Sequence, residues 1–269
     1  MKTQTKSNIL GVPVDTLTNE EALLLAKKFI NGEKFYNIVV TPNPEVIVKA
    51  LKDSELLEII KNADLVIPDG IGVVLASKLN KVKIKERVTG FDLIQNLFDY
   101  IKDTKHTVYF LGAGKGVAEE AKKKCEAKYK GIKVVGFHDG FFNKEEELKI
   151  IEEIKQKKPD ILLVGLGVPL QEKWIYKYRG NLPVKLLIGC GGTIDGLAGN
   201  VNRAPKFFRK LGLEWFYRLL KQPSRFFRML NLPKFAILVL IDKIKGGSRW
   251  FWLWGLETLK KTIKIQGTT

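Results

Sequence analysis

Six short runs along the chain combine glycine with side chains that can hold an anion or move a proton. They are Thr41-Pro-Asn43-Pro, Pro68-Asp69-Gly70, Gly112-Ala-Gly114-Lys-Gly116, His138-Asp139-Gly140, Gly165-Leu-Gly167-Val-Pro-Leu-Gln171-Glu172 and Gly189-Cys-Gly191-Gly192-Thr-Ile-Asp195-Gly196. Glycine lets a backbone amide approach an anion, and a helix starting after the run adds a favourable dipole. The amides of Gly112 and Gly114 are candidates for such contact. Asp69 has two readings. A carboxylate with an ordinary pKa of about 3.9 is ionised at neutral pH and can take a proton from an attacking hydroxyl as general base. An Asp in a Pro-Asp-Gly turn is equally at home capping the next helix. A second group of candidates lies far downstream, at Arg218, Arg225 and Arg228. Planar guanidinium groups meet phosphate oxygens in pairs.

Each glycine-rich run follows a short apolar stretch and precedes an amphipathic one. The apolar stretches predict strands over 37–40, 65–67, 107–111, 133–137, 161–164 and 184–188. The amphipathic ones predict helices over 19–30, 44–61, 71–79, 91–102, 116–129, 144–157 and 170–178, with Pro44 suited to a first helical turn. Such alternation makes an α/β protein, a Rossmann-like, mostly parallel sheet with helices on both faces. Ligands of these sheets bind beyond the carboxyl ends of the strands, where all six runs fall. The convergence points to a phosphate-bearing ligand. The run at Gly112 is not a dinucleotide fingerprint, because its third glycine comes one position early and no ribose-binding acid follows at the required distance. Nor is it a Walker A loop, since Lys115 lacks a following Ser or Thr. His106 is placed at the start of a strand and His138 on the rim.

The remaining seventy residues differ in character. From Asn200 to Thr269 there are fifteen Lys and Arg against Glu214, Asp242 and Glu257, which places +12 of the net +17 there. Four of the five tryptophans and the pairs Phe207-Phe208 and Phe226-Phe227 lie in the same stretch. Pro223 suits the start of a helix that carries Arg225 and Arg228 on one face. We divide the chain into an α/β catalytic core, 1–199, and a basic amphipathic helical appendage, 200–269. Cations interleaved with Trp and Phe suit an anionic membrane surface, and the same mixture suits nucleic acid. The longest apolar run, Phe235 to Ile241, is far short of the roughly twenty residues of a spanning helix. The N-terminus lacks an apolar signal core, so the expected location is cytoplasmic, peripheral to the inner face of the plasma membrane. Cys125 and Cys190 are too few for a disulfide framework or zinc site. An exposed apolar appendage could drive homo-oligomers in solution.

The runs Thr41-Pro-Asn43-Pro-Glu45, Ile67-Pro-Asp69-Gly70, Gly165-Leu-Gly167-Val-Pro-Leu-Gln171-Glu172-Lys-Trp174 and Gly191-Gly192-Thr-Ile-Asp195-Gly-Leu-Ala-Gly-Asn-Val-Asn-Arg203-Ala-Pro205 together resemble the WecG/TagA/CpsF family of bacterial glycosyltransferases, more closely its TagA branch. The resemblance extends to Leu213-Glu-Trp215-Phe-Tyr-Arg218 and so covers nearly the whole chain. It implies transfer of N-acetylmannosamine from UDP-N-acetylmannosamine to the 4-hydroxyl of N-acetylglucosamine on undecaprenyl diphosphate, with inversion to a β linkage, in wall teichoic acid synthesis. It further implies Asp69 as base, Thr41, Asn43 and Gln171 as sugar-site residues, Asp195 at the nucleotide and Arg87 near the pocket. The chain has no Asp-x-Asp pair, so neither metal nor cofactor is expected. Preorganised donors and cations must then stabilise the departing diphosphate. Arg218, Arg225 and Arg228 either do this or face lipid headgroups. The charge excess is better matched to lipid and diphosphate than to nucleic acid. Other open readings are a relative using another UDP-sugar and an NAD-dependent oxidoreductase.

Overall fold

The computed structural model describes residues 5–201, 204–205, 207–208, 212–221, 223 and 226–244. The six expected strands form one sheet: β3 (Asn37–Val40), β4 (Leu65–Val66), β5 (Thr107–Gly112), β6 (Lys133–His138), β7 (Ile161–Gly165) and β8 (Leu186–Gly189). Their order is β4-β3-β8-β7-β5-β6 and every pairing is parallel. The central strands are continuous apolar runs, Ile161-Leu-Leu-Val being fully buried. A sheet covered on both faces requires this pattern.

Two apolar cores result, one per face. Helices α2 (Pro44–Ala50), α3 (Ser54–Lys61), α4 (Ile71–Ser77), α7 (Lys144–Lys157) and α8 (Leu170–Tyr178) contribute to one core. Helices α1 (Asn19–Asn31), α5 (Gly90–Ile101), α6 (Val117–Lys128) and α9 (Thr193–Leu197) contribute to the other. Several starts are written locally. Thr18 with Glu21, and Asn143 with Glu146, form reciprocal capping boxes, each of which satisfies two otherwise orphaned amides.

Two features differ from the sequence expectation. The stretch 44–61 is two helices, because the Asp53 side chain accepts the amide of Leu56 at 3.0 Å and starts a new helix. In addition, β1 (Lys6–Ile9) and β2 (Val12–Asp15) form an antiparallel hairpin. Its turn places Leu10 and Gly11 at positive φ. Two such residues make a tight hairpin turn that ordinarily selects Asn-Gly, so Leu10 conceals it. Asp15 is buried and accepts the Val66 amide at 2.7 Å, tying the hairpin to edge strand β4. Desolvation raises the Asp15 pKa against the pull of that amide and of Lys6.

After the sheet come α10 (Glu214–Lys221), α11 (Phe226–Met229) and α12 (Asn231–Ile244). The helix expected from Pro223 is described only from Phe226. Helix α12 packs on α2 and α4, with Phe235 only 4 % exposed. None of the described helices is long and apolar enough to cross a membrane.

Candidate active site

Because all six strands run the same way, their carboxyl ends meet at one edge. The Asp69 amide donates to the Pro42 carbonyl at 3.3 Å, which ties the loop after β4 to the loop after β3. Gly70 takes φ 104°, a conformation open chiefly to glycine. A Cβ there would meet Pro44 Cδ at 3.4 Å and Asn43 Cβ at 3.8 Å. Asp69-Gly70 thus lies directly on Asn43-Pro44. Gly72 sits closer still, its added Cβ falling 2.8 Å from Pro44 Cγ. Asn43 is partly committed, since its Oδ1 accepts the Val46 amide at 3.0 Å as the cap of α2.

Thr41 closes the β3 loop against two neighbours. Its Oγ1 donates to the Gly189 carbonyl at 3.3 Å, and its Cγ2 lies 3.0 Å from where a Gly90 Cβ would stand. Gln171 is 1 % exposed. Its Oε1 accepts the Gly191 amide at 3.0 Å and its Nε2 donates to Glu172 Oε1 at 2.7 Å. The amide thereby pins the Gly189–Gly192 loop from below. Asp195 stands in the first turn of α9, where a Gly196 Cβ would fall 2.7 Å from the Phe91 ring. The structure therefore brings Thr41, Asn43, Asp69, Gln171 and Asp195 to the β3, β4, β7 and β8 ends of one edge.

Gly112 and Gly114 lie farther along that edge with the β5 and β6 loops. Gly112 has φ 133°, and a Cβ there would stand 2.5 Å from the Gly165 carbonyl carbon. It is glycine because two strand ends touch. The loops are laced by Ala113 N–H donating to Gly165 O at 3.1 Å and Gly140 N–H to Ala113 O at 2.9 Å. His138 ends β6 at the rim, half-buried, its Nδ1 2.9 Å from the Asp139 carbonyl. His106 precedes β5 and lies 3.4 Å from the Asp160 carboxylate.

The C-terminal helices reach the same edge from outside. Arg87 Nη2 lies 3.2 Å from Glu214 Oε2 of α10, both side chains mostly buried. A Cβ on Gly212 would stand 2.9 Å from Ile71 Cγ1, two residues past Asp69. Arg228 grips Glu45 of α2, its Nε donating to Oε1 at 3.1 Å and its Nη2 to Oε2 at 3.1 Å. Lys49 is a second cation on this carboxylate, at 3.0 Å. Burial raises the Glu45 pKa, but Arg228 and then Lys49 outweigh it and hold the carboxyl below its ordinary value. Arg218 lies within α10, its side chain outside the description, and Arg225 lies outside the described residues.

Two carboxylates were not read as functional from sequence. Glu45 resembles an ordinary first-turn acid, favoured by the helix dipole. Glu172 is 3 % exposed, and burial pushes its pKa up to about 7 against opposing contributions from Gln171, its own backbone amide and Lys49. Among the described residues its Oε2 has no hydrogen-bond partner. Its clue in the sequence was position, a carboxylate beside Gln171 in the first turn of a helix that follows a glycine-rich strand end. Among the described residues no group of three His, Cys, Asp or Glu could hold a metal ion.

Comparison with known proteins matches residues 7–249 to the glycosyl transferase WecG/TagA/CpsF family. A relative from Bacillus subtilis is 37% identical over 219 residues, 81% of this chain and 84% of its own. One from Bacillus spizizenii is 40% identical over 202 residues, 75% of this chain and 78% of its own. One from Staphylococcus aureus is 34% identical over 241 residues, 89% of this chain and 94% of its own. All three are named N-acetylglucosaminyldiphosphoundecaprenol N-acetyl-beta-D-mannosaminyltransferase.

Proposed function

The chain belongs to the WecG/TagA/CpsF family of glycosyl transferases, and we propose that it transfers N-acetylmannosamine from UDP-N-acetylmannosamine to the 4-hydroxyl of lipid-linked N-acetylglucosamine. The observation that carries this reading is that three relatives sharing 34% to 40% identity are all named as N-acetyl-beta-D-mannosaminyltransferases acting on N-acetylglucosaminyldiphosphoundecaprenol. The oxidoreductase reading falls with family membership.

An α-linked donor giving a β-linked product requires a single displacement, with one base and no covalent intermediate. Asp69 is the proposed base. Its loop rests on Asn43-Pro44, so carboxylate and candidate sugar-site residues share one rigid corner. As the acceptor hydroxyl attacks the anomeric carbon, Asp69 takes its proton and the bond to UDP breaks. Thr41, Asn43 and Asp195 line the sugar and nucleotide, with Gln171 holding the loop between them, and backbone amides such as those of Gly112 and Gly114 face the anion. The leaving diphosphate needs cations, which the C-terminal Arg218 and Arg225 would supply, with Arg87 near the pocket. Exposed Phe227, Leu240 and Ile244, amid the basic residues of 200–269, suit an anionic membrane at headgroup depth. This would hold the enzyme peripherally where its lipid-linked acceptor resides.

The test is UDP release from UDP-N-acetylmannosamine with a lipid-linked N-acetylglucosamine acceptor in the presence of EDTA. Asp69→Asn should lower the rate by about 100-fold or more, the scale of a lost general base. An unchanged rate in that variant moves the base elsewhere, and no release by the unmodified chain overturns the reaction itself.

A further inference from the structure

Among the described residues, two ion pairs of opposite sense join the C-terminal helices to the sheet domain. In one, the domain supplies the arginine and the segment the acid, Arg87 with Glu214. In the other, the domain supplies the acid and the segment the arginine, Glu45 with Arg228. The second is the more committed contact. Arg228 reaches both carboxylate oxygens with Nε, at 3.1 and 3.2 Å, and one of them with Nη2 at 3.1 Å. The Glu45 side chain is 10% exposed, a position at which an unpaired carboxylate is costly. Glu45 follows Asn43 by two residues, and Gly70 rests on Asn43-Pro44. The guanidinium is therefore seated on the residue next to Pro44, against which Gly70 of the Asp69 loop packs.

We propose that Glu45 is a positioning residue whose carboxylate seats Arg228, and with it α11 and α12, beside the Asp69 corner. The inference rests on the glycosyl-transfer reading only for its activity readout. Two interactions divide the work. Phe235, buried against α2 and α4, supplies adhesion, which is non-directional. The forked Arg228 contact fixes rotation and register, the best-attested use of a buried ion pair. Arg228 is then the anchor that sets where the neighbouring arginines of the segment fall, rather than a free cation on a basic surface. Lys49, four residues along α2, also contacts the carboxylate at 3.0 Å but belongs to the domain and cannot orient the segment.

The experiment is a double-mutant cycle on the full chain with Glu45→Gln, Arg228→Gln and both together, with Lys49→Gln as comparison. Two quantities are read, the rate of protease cleavage beyond Leu213 and the kcat and KM of transfer. Each single change should speed cleavage by about 10-fold and lower kcat by a similar factor, with KM for the UDP-sugar moving less than about 3-fold. The half-exposed arginine limits the effect to this scale. The double variant should be no worse than the worse single one, and Arg228→Lys should recover part of the loss. Arg228→Gln lies on the surface side, so it remains informative if Glu45→Gln fails to fold. Additive losses, or wild-type cleavage and kcat in Glu45→Gln, overturn the proposal, as does an equal effect from Lys49→Gln. If the chain transfers no sugar, the functional reading fails while cleavage still decides the seat.

Discussion

Replacing Glu172 with glutamine should remove a pH-dependent component of stability. The carboxyl is 3 % exposed and its pKa is raised from 4.5 to about 7, chiefly by burial. Lys49 of α2 is a cation pulling the other way, and the buried Cys190 thiol is a titratable neighbour on the loop above. The native chain keeps this proton where the unfolded chain has already lost it. Stability from the neutral form is complete below about pH 4.5 and is lost as pH rises to about 7. The difference corresponds to about 3 kcal/mol at about 1.4 kcal/mol per pH unit. Glutamine has the same shape, stays neutral and still offers an amide oxygen to Gln171 Nε2. Urea unfolding at pH 5 and pH 8 should therefore show the variant gaining on the wild type by about 2–3 kcal/mol at the higher pH. Other groups titrate alike in both proteins and cancel in the difference. A wild-type-minus-variant difference that is the same at both pH values would refute the buried neutral carboxyl.

Three further substitutions test the frame around the site. Gly112→Ala places a methyl 2.5 Å from the Gly165 carbonyl carbon at φ 133°, and should cost about 3 kcal/mol or more. Differential scanning calorimetry should show a melting temperature about 10 °C lower, whereas Gly167→Ala, with nothing within 4 Å and only the strain of its φ of 79° to meet, should lose less. Phe235→Ala removes the buried ring that holds α12 and should weaken that contact by about 3–5 kcal/mol. Hydrogen exchange should rise across 231–244 while the sheet amides stay protected, and an unchanged exchange pattern would mean the helix is held by something else.

The sheet was legible because parallel strands buried on both faces cannot hide. Ile161-Leu-Leu-Val and Asn37-Ile-Val-Val read as strands by composition alone, and their order as parallel followed from the helices between them. The break at Leu51-Lys52 was concealed because Leu56, Ile59 and Ile60 continue an apolar helical pattern through it. Only the Asp53 side chain, bonded to the Leu56 amide, marks the restart. The β1–β2 hairpin was missed for a related reason, since Leu10 occupies a turn position where Asn would have announced it.

The site was legible to the extent that its residues sit on strand ends. Thr41, Asn43, Asp69, Gln171 and Asp195 could be placed on one edge without coordinates, because parallel strands bring every carboxyl end to the same side. What sequence could not supply was the partner of each charge. Glu45 is followed four residues later by Lys49, and on sequence alone that pair explains it. Its stronger partner is Arg228, 183 residues away, and no local pattern encodes so distant a contact. The same holds for Arg87 and Glu214, 127 residues apart. A basic segment therefore reads as a surface for anions until folding shows which arginine is already taken by a carboxylate. Arginine by arginine the partner can be lipid, diphosphate or protein carboxylate, and at Arg228 the structure shows a carboxylate, that of Glu45.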